Sequence, residues 1–330
     1  MDPGAALDEI ASLLERERAS RYKSKAFRTA SAAIAGLSAA QLDDVASLRR
    51  RPGIGESTLR VIVQARGGAV PDYLAELRAL HGPPPSTLRS LLRGDLHAHS
   101  EWSDGLTSID LMVDGARALG HEYLAITDHS PRLRVAHGLD AERLREQIDV
   151  VAGFRRSGFT LLTGIEVDIL DGGDLDQETD LLAVLDIVVA SAHSQLRMEK
   201  RAMTRRLVAA VCHPHTDVLG HVTGRLVAGA RGLRPASDFD APAVFAACAD
   251  RGVAVEINSR PEREDPPDEL IALALAEGCL FSIDSDAHAP GQLALLAEGA
   301  ARAEAAGIPP ERIVTTWPLD RLREWTERRR

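Results

Sequence analysis

Through the first 80 residues, apolar positions recur at helical spacing. Leu7, Ile10, Leu13 and Leu14 fall along one stripe, and this spacing predicts a helix over 5–18, with a second over 24–35. A third pattern, QLDDVASLRR, runs into the turn PGIG at 52–55 and on into ESTLRVIVQARGG, which reads as helix, tight glycine turn, helix. PDYLAELRAL supports one more short helix. The pattern then breaks in HGPPPSTLRSLLRG, whose three prolines mark a linker. The expected division is a helical domain over 1–80, a linker over 81–93 and a large domain over 94–330.

From residue 94 short apolar runs alternate with Ala-, Leu- and Arg-rich helical stretches. The runs are GDLHAH, YLAITDH, TLLTGIEVDIL, DIVVASAH, TDVLGHV, VAVEINS and LFSIDSDAH. Seven strands joined by crossovers indicate an α/β fold with a parallel sheet, closed most economically as a barrel. An open sheet gives the same alternation.

Composition narrows the setting. Cys212, Cys248 and Cys279 lie far apart and form no CxxC pair, which argues against a disulfide framework or a thiolate metal site. The first 20 residues carry acid and no continuous apolar stretch, unlike a signal peptide. No run reaches the ~18–20 apolar residues of a membrane helix, so the expected location is the cytoplasm and no membrane partner is expected. The net charge of −10 hides an asymmetry: residues 1–93 hold 14 Lys and Arg against 10 Asp and Glu, the remainder 25 against 39. Opposite signs suggest a polyanion as partner of the first part and cations for the second.

Each of the seven runs ends in metal-capable or polar residues: His97/His99, Asp128/His129, Glu166/Asp168, His193, His221, Glu256 and Asp286/His288. At the carboxyl ends of barrel strands such side chains converge on one mouth. His97 and His99 share one side of their strand by the period of two and can grip one ion together. A lone histidine at a strand end is ordinarily a satisfied polar group. Six of the chain's 11 histidines at such ends argue for a shared role, whereas His81, His121, His137, His213 and His215 fall in loops or helices, His137 alone staying in view.

The motifs DLHAHSEWSDG, YLAITDHS, LRVAHGL, GIEVDIL, ASAHS, LGHVTGR, VEINSRPER and DSDAH span essentially all of 94–290. In them the chain resembles the polymerase-and-histidinol-phosphatase (PHP) superfamily, and in particular the PHP domain that follows bacterial family X DNA polymerases. The resemblance implies a distorted (β/α)7 barrel with three metal ions. One ion would sit on His97, His99, Glu166 and Asp286, a second on Glu166, His193 and His221, and the third on Asp104, His129 and His288. Imidazole and carboxylate without thiolate suit zinc, manganese or iron. Clustered divalent ions lower the pKa of bound water to about 7 and clamp phosphoryl oxygens. The implied chemistry is phosphoester hydrolysis by a water held at His97, His99, Glu166, Asp286 and His193. Arg134, Arg225 and Arg260 are candidates for the substrate phosphate, since a guanidinium fork matches it. Glu256 reads as a supporting residue behind the ligands.

Residues 5–80 resemble the 8-kDa domain of family X polymerases, with PGIG as a helix-hairpin-helix turn. Gly53 and Gly55 would let backbone N–H groups approach a DNA phosphate, with Arg49, Arg50, Arg51 and Arg60 adding charge. The family's Schiff-base lysine aligns with Val61, so lyase activity is not expected. Only the linker stands where those enzymes carry the polymerase core, so polymerase activity is not expected either. The leading expectation is a metal-dependent 3′–5′ exonuclease or 3′-phosphatase acting at DNA ends in repair. The alternatives are a small-molecule phosphomonoesterase of histidinol-phosphatase type and a non-catalytic DNA-binding accessory module. The oligomeric state stays open.

Overall fold

The computed structural model describes residues 1–16, 21–80, 86–154, 158–229 and 232–328. These group into two compact units, a helical one and a larger one built on a sheet. Among the described residues no helix is long and apolar enough to cross a membrane.

The first unit holds α1 (Pro3–Arg16), α2 (Arg21–Ile34), α3 (Ala39–Asp43), α4 (Val45–Arg50), α5 (Glu56–Arg66) and α6 (Asp72–Leu80). Leu7, Ile10 and Leu14 are buried against Phe27 and Ile34 of α2, Ile62 of α5 and Leu74 of α6, while Leu13 is half-buried at the edge. Each fully buried aliphatic side chain contributes about 1.5–3 kcal/mol. The single helix expected over QLDDVASLRR is instead two. Asp44 leaves helical geometry (φ −80°, ψ 80°), and its carboxylate accepts from Ser47 N at 2.9 Å, capping α4 where it would have continued α3. Of the expected linker, residues 81–85 lie outside the described residues, as do 17 and 18 of the first expected helix. Leu88–Leu91 form a 3-10 turn.

The second unit is a parallel sheet of seven strands in the order β1 to β7: Gly94–Asp95, Tyr123–Ile126, Thr160–Asp168, Ile187–Ser191, Val218–Leu219, Ala254–Asn258 and Leu280–Asp284. Around it lie α7 (Ile109–Ala118), α8 (Ala141–Gly153), α9 (Thr179–Leu182), α10 (Lys200–Cys212), α11 (Ala241–Arg251), α12 (Asp268–Ala276), α13 (Leu296–Ala305) and α14 (Leu319–Glu327). The sheet nearly closes on itself: Ala98 bridges Ala287 in parallel, and His99 N donates to Ala287 O at 2.8 Å. It is therefore a barrel, not an open sheet. The first and fifth strands are shorter than their apolar runs suggest because carboxylates and hydroxyls replace ladder carbonyls. Leu96 N donates to Asp284 Oδ1 (2.9 Å), Ala98 N to Thr127 Oγ1 (3.0 Å) and Ser100 N to Asp128 Oδ1 (2.8 Å).

Period-two alternation divides the strand residues. Leu124, Ile126, Ile165, Val255 and Ile283 face the helices, and Tyr123, Leu162, Ile187, Val189 and Val218 point inward with Trp317, Leu322 and Trp325. The segment after α13 thus plugs the amino end of the barrel, with Tyr123 Oη donating to Trp317 O at 3.0 Å. Higher along the same inward rows stand Glu166, Glu256 and Asp284, so the interior changes from apolar at the floor to polar at the mouth. A buried arginine joins two strand ends: Arg206 of α10 donates to the carbonyls of Ile169, Leu170 and Ser194.

His121, just before β2, is buried, and Arg89 Nη2 lies 3.3 Å from its Nε2. Arginine can only donate, so this imidazole is neutral. Burial, then the Arg89 charge, pull its pKa down to about 3. The unfolded chain binds this proton near pH 6.5, so stability present above that value is lost as pH falls toward 3, by about 2 kcal/mol at pH 5. Denaturant midpoints measured between pH 7 and 4 are expected to fall less steeply in His121→Gln than in the parent.

Candidate metal centre

Glu166 is the hub of the mouth. Its Oε1 lies 2.8 Å from His221 Nε2 and 3.3 Å from His193 Nε2. Its Oε2 lies 2.9 Å from His129 Nδ1, 3.3 Å from His97 Nε2 and 3.6 Å from His99 Nε2. His97 and His99 do share one side of their segment, with ring centroids 5.1 Å apart. Asp286, held at φ +50°, places Oδ1 3.5 Å from His99 Nε2. Asp104 Oδ1 lies 3.4 Å from His129 Nε2 and 3.3 Å from His288 Nε2. All nine residues singled out as ligands in the sequence therefore meet in one place.

Among the described residues, three overlapping groups have ligand atoms close enough for one ion each: His97, His99 and Glu166; His129, Glu166 and His193; and His99, Asp104, His129 and His288. The grouping differs from the expected one: His129 reaches two groups, and Asp286 and His221 fall in none of the three, His221 lying at hydrogen-bonding distance from Glu166.

The electrostatics fit cations. Burial disfavours the charge on Glu166, but the rings of His97, His193 and His129 outweigh it and hold the carboxyl well below its usual range. Burial likewise opposes protonation of His129, yet Glu166 and Asp104 raise it to about 10. His99 goes the other way, to about 3, through burial and its neighbours His288 and His129. Without a cation, protons on selected rings balance the carboxylates, and a divalent ion can do the same. Moreover, His97 Nε2, both ring nitrogens of His99, Asp104 Oδ1 and the Nδ1 atoms of His129 and His221 make no hydrogen bond although sealed from solvent. Buried polar atoms left so are uncommon unless something coordinates them. Carboxylates behind the rings set their orientation: Glu256 Oε1 is 2.5 Å from His97 Nδ1, and Asp168 Oδ1 is 3.2 Å from His193 Nδ1. Glu256 thus stands where it was expected, behind the rings.

A family model, the PHP domain, matches residues 95–260, half of the chain. The chain belongs to the PHP domain family. Among curated proteins, it is 39% identical over 199 residues to the DNA polymerase/3′–5′ exonuclease PolX of Bacillus subtilis, covering 60% of this chain and 34% of that one. This PHP protein therefore spans about a third of that relative's length. It is 28% identical over 246 residues to a probable phosphatase of Edwardsiella ictaluri, covering 71% of this chain and 94% of the other. A solved structure of histidinol phosphate phosphatase from Lactococcus lactis, with zinc, L-histidinol and phosphate, aligns at TM-score 0.47 and 19% identity over 66% of this chain and 95% of its own.

The arginines of the PHP mouth divide. Arg260 is buried in the centre, its Nη1 3.6 Å from Asp286 Oδ1 and its Nη2 3.3 Å from His288 Nδ1. Arg225, expected at the phosphate, instead donates to the carbonyls of Arg263 and Glu264, because the turn there leaves them without ladder partners. Arg134 sits exposed in a 3-10 turn after β2. Sequence reasoning missed Arg263, three residues beyond Arg260 in the same motif. It is buried, and its Nε donates to Asp286 Oδ2 at 3.1 Å.

The DNA-binding candidates belong to the first unit. Gly53 (φ +88°) lies so close to Thr29 that a Cβ would sit 2.9 Å from its Cγ2, whereas a Cβ on Gly55 would meet open space. Arg51 donates to Ala33 O at 2.7 Å, and Arg49 pairs with Glu56 at 3.4 Å. Arg50 and Arg60 are exposed, and Val61 is buried.

Proposed function

We propose that this protein is a divalent-cation-dependent phosphoesterase that hydrolyses phosphate esters at DNA 3′ ends, as a 3′–5′ exonuclease or 3′-phosphatase. The observation that carries phosphoester chemistry is the convergence of nine ligand-capable side chains, with Glu166 at their hub, within a PHP domain. The PolX relative, more alike in sequence than the phosphatase, supports DNA as the substrate.

His97, His99, Glu166 and Asp286 would hold one ion, Glu166 with His193 and His221 a second, and Asp104, His129 and His288 a third, with His129 reaching the second group as well. Bound zinc, manganese or iron supplies Lewis acidity, which acidifies water and draws charge from phosphoryl oxygens. The chain does the rest. Glu256 and Asp168 orient the rings of His97 and His193. Arg260 and Arg263 offer positive charge to the phosphate, Arg263 in a fork that its bond to Asp286 holds still. The aromatic floor keeps bulk water from entering beneath. In the first unit, the PGIG turn with Arg50 and Arg60 is suited to the backbone of a nucleic acid.

A second reading, a small-molecule phosphomonoesterase, draws support from the phosphatase relative that this chain matches over 94% of its length. Protein loaded with Mn²⁺ and offered labelled single-stranded DNA, 3′-phosphorylated DNA and histidinol phosphate separates the two. Stepwise shortening or 3′-phosphate release, lost on chelation, is the expected result. Turnover of histidinol phosphate alone would establish the second reading. Silence on all three from ion-loaded protein would leave a DNA-binding accessory module.

A further inference from the structure

Asp128 is buried beside His129, but the two side chains part: His129 reaches Glu166, and Asp128 turns to the loop after β1. Its Oδ1 accepts from Ser100 N at 2.8 Å and from the Ser103 hydroxyl. Its Oδ2 accepts from Ser100 Oγ and from Gln147 Nε2 of α8, each at 2.6 Å. Four donors occupy the acceptor sites of one carboxylate, which leaves it no place on a cation, although the strand end that carries it also carries His129.

Three of those donors belong to a single turn. Ser103 N and Gly105 N both donate to Ser100 O, at 3.1 and 2.9 Å, and Trp102 N donates to Ser100 Oγ at 3.2 Å. Gly105 closes the turn so tightly that a Cβ would lie 2.5 Å from Ser100 O. Between Ser103 and Gly105 stands Asp104, whose side chain is 36% exposed, against 15% or less for the other eight candidate ligands. Asp104 owes its place to a loop that folds back on itself, and Asp128 fastens that loop.

We propose that Asp128 is a positioning residue that sets the affinity of the group His99, Asp104, His129 and His288 for its cation. The inference rests on the reading of the mouth as a cation centre. Outer partners of ligands typically govern affinity 10- to 100-fold, and here the action passes from Asp128 through Ser100 and Ser103 to Asp104.

The test is titration of the metal-free full chain with Co²⁺, followed by its visible absorption bands and by calorimetry. Asp128→Asn is expected to weaken one class of site about 10- to 100-fold and to leave the tighter sites as they are. Asp104→Asn should weaken the same class, and the double variant should bind no worse than Asp104→Asn alone, because both changes break one linkage. Unchanged Co²⁺ binding by Asp128→Asn, equal weakening of all sites, or additive effects of the two substitutions would overturn the proposal. If Asp128→Asn does not fold, Ser103→Ala, which removes one donor, replaces it in the same comparison with the same outcomes. Parent protein that takes up no Co²⁺ would defeat the cation reading itself, a result distinct from a parent that binds and a variant that matches it.

Discussion

Glu166→Gln is expected to lower phosphoester hydrolysis by on the order of 10³-fold or more, about 4 kcal/mol in the barrier. The substitution keeps the shape of the side chain and removes its charge. That charge is approached by five imidazoles, at 2.8 to 3.6 Å, from four separate strand ends. Two of the three candidate ion groups share this carboxylate, so a neutral amide weakens both. An amide also presents an N–H₂ where a cation needs an oxygen, and the rings cannot all turn away in so confined a space. The measurement is kcat on a DNA 3′ end together with metal content per chain. A variant that keeps its ions and its rate would show that the catalytic centre lies elsewhere.

The second large effect is expected at Arg263. Its Nε bond to Asp286 orients a candidate ligand, and its remaining nitrogens carry positive charge into the mouth. Burial opposes that charge, but Asp286, then Glu166 and Asp265, more than compensate and keep the guanidinium firmly protonated. Arg263→Ala removes a donor proposed for a phosphoryl oxygen, and losing such a donor typically costs 10²–10³ in rate. It also leaves Asp286 buried with one donor fewer, which destabilises the fold by about 3–5 kcal/mol when no ion compensates. Arg263→Lys retains the charge without the fork, and its rate should fall between parent and alanine variant. Steady-state kinetics on ion-loaded protein, alongside thermal unfolding with and without chelator, separates the two contributions. Equal rates for all three proteins would exclude Arg263 from the chemistry.

The sequence made the barrel and its ligands legible because both follow local rules. An apolar run of strand length ending in His or Asp marks a strand and its carboxyl end, and parity places His97 with His99 and Glu166 with Asp168. The remainder depended on groups distant in the chain. Asp44 interrupts a helix by choosing Ser47 N over solvent, a choice that periodicity does not register. The first strand loses its ladder because Asp284, Thr127 and Asp128 compete for its N–H groups from other strand ends. Arginines were hardest to read. Arg225, Arg260 and Arg263 are chemically identical, and only the geometry of one turn decides which of them meets carbonyls and which meets Asp286. The aromatic floor was invisible, since nothing local in the segment around Trp317 and Trp325 shows that it seals a barrel whose first strand begins at Gly94, more than 200 residues earlier.

That floor has a consequence for traffic. With Tyr123, Trp317 and Trp325 filling the amino end, the barrel is, among the described residues, a well closed at its floor. Reactant and product must use the same doorway in turn, and no polymer can be drawn through from one side to the other. A linear molecule can offer such a well its tip.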